Sequence, residues 1–103
     1  MSATGFVAIV VIDLHFPESG SLKSKRKELS SIKAQLHGRL GAAVAEVGYQ
    51  DLWQRARLTA ALTGGSLATL QGAVDNVERW LEARWPDGVR VERIVASVED
   101  LSP

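Results

Sequence analysis

The first apolar block of the chain runs from Phe6 to Ile12 and reads FVAIVVI. At period two, Phe6, Ala8, Val10, Ile12, Leu14 and Phe16 share one face, while Val7, Ile9 and Val11 share the other, followed there by Asp13 and His15. The pattern predicts a strand over 6–16 that is apolar on both faces except at its end, as expected of a central, covered strand. Pro17 and Glu18-Ser19-Gly20 break it. Ser21 stands where a helix cap is needed, and Leu22, Leu29, Ile32, Leu36 and Leu40 form the helical stripe that follows, with Gly38 and Gly41 bracketing its end. Alternation predicts two more strands over 43–47 and 55–63. Their short link, Tyr49-Gln50-Asp51-Leu52-Trp53, makes them an antiparallel pair. Gly64-Gly65 is a break, and Ser66 caps a second helix whose seam is Leu67, Leu70, Val74, Val77 and Leu81, flanked by Trp80 and Trp85. Pro86-Asp87-Gly88 ends that helix, and Val89 to Val98 is the last strand. Residues 1–4 read as a frayed end.

The order strand, helix, strand, strand, helix, strand is the split βαβ arrangement. It predicts one α+β domain over 1–103 with a ferredoxin-like fold: a four-stranded antiparallel sheet with two helices on one face. Two helices cover one face only, yet the first strand is apolar on both. The open face therefore needs a cover. A second copy of the chain supplies one, since most soluble oligomers are symmetric homo-oligomers. A folded-back loop carrying Tyr49 or Trp53 is the alternative.

Composition narrows the chemistry. The 103 residues are 46% hydrophobic and 23% charged, a globular balance. With no cysteine, the chain holds no disulfide, thiolate metal site, iron–sulfur cluster or Cys nucleophile. Two histidines, His15 and His37, leave little for a metal site, and no cofactor is expected. The longest apolar run is too short to cross a bilayer and lacks a basic lead, so the expectation is a soluble cytoplasmic protein with no membrane partner. The zero net charge conceals a split. Residues 1–40 carry six cationic side chains against three anionic ones, and residues 65–103 carry four against seven. Such a split permits binding to a polyanion, and equally permits opposite-charge self-association.

The strand ending LHFP, SLKSKR at 21–26 and AEVGYQDLWQRA at 45–56 together resemble the YlxP-like family of small bacterial proteins, catalogued as a domain of unknown function. The resemblance spans residues 6 to about 99. The chain departs from the family in carrying Ser24 where members commonly have an acidic residue, and Tyr49 where a polar residue or His is frequent. The resemblance implies a ferredoxin-like fold. The family's genes often lie beside those for transcription-termination, initiation and ribosome-maturation factors, which implies work near RNA or the ribosome. It carries over no reaction.

Three groups of residues are candidates for function. Lys23, Lys25, Arg26 and Lys27 crowd the first turns of the first helix, against the preference of the helix dipole, with Lys33 and Arg39 further along. Together with Arg55 and Arg57 they form a candidate surface for phosphates of ribosomal or other structured RNA. The competing account is a solvated helix face, or one neutralised by acidic neighbours. Tyr49 and Trp53 beside those arginines suit base stacking, or anchor an interface. The strands lack the aromatic pair of an RRM. Asp13, His15, Glu46 and Asp51 are a candidate polar site for acid–base work by His15 and Glu46, although no nucleophile or metal set completes a mechanism. The leading expectation is a non-enzymatic, homodimeric accessory protein that binds RNA. The alternatives are a homo-oligomeric interaction module, and a small-molecule binder or enzyme built on His15 and Glu46.

Overall fold

The strand that is apolar on both faces lies inside the sheet. In a computed structural model that describes residues 4–101, β1 (Phe6–His15) pairs antiparallel with both β3 (Arg55–Gly64) and β4 (Val89–Ser97). Strand β2 (Ala43–Gly48) lies outside β3, giving the order β2-β3-β1-β4. Helices α1 (Leu22–Leu40) and α2 (Leu67–Arg84) complete the βαββαβ series, so the fold is α+β with ferredoxin-like topology. A four-residue helix, α3 (Val98–Leu101), begins where the pattern placed the end of the last strand. Of the predicted frayed end, residues 1–3 lie outside the described residues. Thr4 is tied down: its N–H and hydroxyl donate to Glu99 Oε1 at 2.7 and 2.9 Å, and these bonds hold the Glu99 carboxyl below its ordinary pKa.

The pleat decides what is buried. Ala8, Val10, Ile12 and Leu14 of β1 and Ala56, Leu58, Ala60 and Leu62 of β3 turn toward the helices and form the core with Leu29, Ile32 and Leu36 of α1 and Leu70, Val74, Val77 and Leu81 of α2. Leu67, predicted to start the second seam, is exposed on the first turn of α2. Both predicted caps form. Ser21 Oγ accepts from Ser24 N at 3.1 Å, and Ser66 Oγ accepts from Thr69 N at 3.2 Å. At the other end of α1, Gly41 adopts φ 72°, and its N–H donates to the His37 carbonyl. That left-handed closure suits a residue without a side chain. Gly88 is required for a different reason: a Cβ there would lie 2.9 Å from the His15 carbonyl oxygen, where β4 begins alongside the end of β1.

One member of the core is a cation. Lys25 occupies the position between Leu22 and Leu29 on the apolar stripe of α1 and is 1% exposed. Its Nζ donates to the carbonyls of Tyr49 and Leu52 at 2.5 and 2.6 Å, with a Glu46 carboxylate oxygen 4.0 Å away. The aliphatic stem packs as a core residue would, and the ammonium fastens α1 to the β2–β3 link. Lys25→Met keeps the stem and removes the ammonium, leaving the Leu52 carbonyl without this donor and the Tyr49 carbonyl with the Leu52 N–H alone. We expect a loss of about 2–4 kcal/mol in urea unfolding, whereas Lys23→Met on the exposed face of the same helix should change stability by less than about 0.5 kcal/mol.

Candidate nucleic-acid interface

The β1–α1 loop and the β2–β3 link are bound together at one corner of the molecule. Phe16 N donates to the Gln54 carbonyl at 2.7 Å, and Gln54 Nε2 reaches back to the carbonyls of Pro17 and Ser19 at 3.3 and 3.5 Å. With Lys25 joining the same link to α1, the start of that helix and residues 49–54 form one surface. Lys23, Arg26 and Lys27 are exposed on it, and none has a carboxylate within ion-pair distance among the described residues. No acidic residue stands in the first turn of α1. At about 100° per residue, Lys23, Arg26, Lys27 and the half-buried Lys33 fall within an arc of roughly 120° on one flank of the helix. Trp53 is 53% exposed on the link, and with His15, Asp51, Leu52, Gln54 and Arg55 it lines a cavity of about 450 Å³.

Three of the sequence-predicted cations have other duties. Lys25 is removed from any RNA-facing surface by its burial. Arg57 lies on the open face of the sheet, where its Nε and Nη2 donate to the two oxygens of Asp13 at 2.8 and 3.4 Å and Nη2 also meets the Tyr49 hydroxyl at 3.3 Å. The bond to Asp13 raises the guanidinium's pKa further above its ordinary value. Arg55 stacks on the Tyr49 ring, 4.2 Å from its centroid. Tyr49 itself takes φ 60°, an uncommon conformation for a residue with a side chain, and its carbonyl is one of the two that Lys25 holds. Tyr49, Arg55, Arg57 and Asp13 thus form a folded-back cluster over the polar end of the open face. They line a second cavity, of about 370 Å³, with His15 and Arg90.

The candidate polar site does not assemble. Asp13 and His15 lie on the open face with Arg57, whereas Glu46 pairs with the buried Leu58 and turns to the helix side, toward Lys25. The sheet therefore separates His15 from Glu46. Asp51 is exposed in the link and shares only the Trp53 cavity with His15. Among the described residues no group of three or more His, Asp or Glu side chains is placed to hold a metal ion, and no helix is long and apolar enough to cross a membrane.

The geometry defines a ferredoxin-like α+β protein with an exposed cationic helix flank and no assembled catalytic group among the described residues. Residues 7–97 match the model of the family described as Protein of unknown function (DUF503), and the chain belongs to that family. It is 28% identical over 82 residues to the uncharacterized protein YlxP of Bacillus subtilis (strain 168), an alignment covering 80% of this chain and 85% of the relative.

The Asp13–Arg57 pair is half-exposed, so its net contribution is small. A double-mutant cycle with Asp13→Ala and Arg57→Ala should return a small favourable coupling that shrinks in high salt.

Proposed function

We propose that this protein is a non-enzymatic accessory factor in translation or ribosome biogenesis that binds structured RNA. The contact surface is the flank of α1 bearing Lys23, Arg26, Lys27 and Lys33, with Trp53 on the link that Lys25 ties to the same helix. The observation that carries this reading is the set of three exposed cations without carboxylate partners among the described residues, Lys23, Arg26 and Lys27, on a helix joined through Lys25 to the link that bears an exposed indole. Ammonium and guanidinium groups in this arrangement neutralise successive phosphates and read no sequence. The indole offers a stacking platform for an unpaired base. Asp75 and Glu78 of α2 are both engaged by Arg93 on the edge strand, at 2.7 and 2.9 Å.

The test is binding of the Lys23→Glu/Arg26→Glu protein to purified ribosomal subunits and ribosomal RNA across a salt series. We expect at least a ten-fold loss of affinity and a salt slope shallower by roughly 1.4–1.8, the contribution of two phosphate contacts. Trp53→Ala should cost about 1–3 kcal/mol on RNA containing unpaired bases. Equal binding by wild type and the double variant, or no binding by either, contradicts the reading.

A further inference from the structure

The open face of the sheet is divided lengthwise by side-chain size. Through the strand pairings, Ala43, Ala61, Ile9 and Ile94 form one row across it, and Ala45, Thr59, Val11 and Glu92 form the next. Small residues thus occupy β2 and β3, and bulky apolar ones occupy β1 and the Ile94 position of β4. Ile94 is 62% exposed, a prominent apolar knob. On the small side a depression of about 440 Å³ is lined by Ala43, Ala61 and Thr63, with Val7 and Ile9 at its inner wall. Glu92 puts a charge at the β4 edge of the second row, and the row after it is charged, with Arg57 on β3, Asp13 on β1 and Arg90 on β4 side by side.

We propose that this face is self-complementary and takes a second copy of the chain, related by a two-fold axis that lies between the sheets and runs along β1. Such an axis stacks β1 of one copy on β3 of the other, and β4 on β2. Ile94 of each copy then meets the Ala43–Ala61 side of its counterpart, so bulk fills depression twice over. The same operation sets Arg57 over Asp13 of the second copy and Asp13 over its Arg57, so each ion pair is met in reverse order. The two-fold axis across the strands does neither. It brings bulky side over bulky side and small over small, and lays the charged row on the apolar end around Val7, where Arg57 and Asp13 would lose their solvent without gaining partners. A face four strands wide and about eight residues long spans roughly 500 Å² in projection. Two such faces total about 1,000 Å², the threshold of a specific interface and below the ~1,200–2,000 Å² of stable ones, so the association is weak and concentration-dependent. Both basic flanks of α1 remain outside it, because the helices lie on the opposite side of the sheet.

Sedimentation equilibrium up to tens of micromolar should give twice the 11.1 kDa chain mass. Ile94→Glu should weaken self-association at least ten-fold and keep the wild-type melting transition, since residue 94 is exposed in the single chain. The chain has no cysteine, so introduced thiols report alone. Ile94→Cys protein mixed with Ala43→Cys protein should join through a short thiol-specific crosslinker, whereas Ile94→Cys protein alone should not, its two thiols being about three strand spacings apart laterally. A monomer at every concentration, an unchanged mass for Ile94→Glu, or efficient crosslinking of Ile94→Cys protein with itself would overturn the proposal.

Discussion

An ammonium group on two backbone carbonyls holds one corner of this protein together. Lys25 comes from α1, and the carbonyls of Tyr49 and Leu52 come from the link between β2 and β3. A cation in the core is unfavourable unless its donors are satisfied. Here two donors meet carbonyls, and Glu46 offsets the charge. The interaction joins segments more than twenty residues apart, and it fixes the placement of neighbours that do not touch it. Tyr49 remains in a left-handed conformation while its carbonyl is held. Trp53 is carried by the same link, which is thereby anchored to the helix that bears the exposed lysines.

The architecture was largely legible in the sequence because it rests on short-range patterns. The two-sided apolar run of β1 placed it inside the sheet, and Ser21 and Ser66 announced the helix starts they cap. The candidate site was less legible, because charge type alone does not say which way a side chain turns. Charge alone groups Lys25 with its cationic neighbours, yet the stripe Leu22, Leu29, Ile32, Leu36 has a vacancy three residues after Leu22, and a helix fills that position with whatever residue stands there. A lysine on the apolar seam was the available signal that its head group would be bonded inside. His15 and Glu46 were set together by topology, but strand parity and the register of β2 on β3 send them to opposite sides of the sheet. The Asp13–Arg57 contact, between residues 44 apart in sequence, depends on that same register and had no local sign.

Two surfaces with different physics result. The helix side displays the exposed cations of α1, whose charge acts at long range. The open side is flat and mostly apolar, bounded at one end by ion pairs and an arginine–tyrosine stack, where contact has to be close and shape-matched. Lys25 bears on both, since the link it anchors also supplies Tyr49 to the polar end of the open face.

The direct measurement of this account is amide hydrogen exchange at Leu52, whose N–H donates to the Tyr49 carbonyl at 3.0 Å, in wild type and in Lys25→Met protein. The account predicts that the substitution lowers protection at Leu52 and along residues 49–54 by more than it lowers protection at Val10 and Ile12 in the sheet, because the link opens locally once its anchor is gone. Equal losses at the link and at the sheet, or an unchanged Leu52 amide, would contradict it.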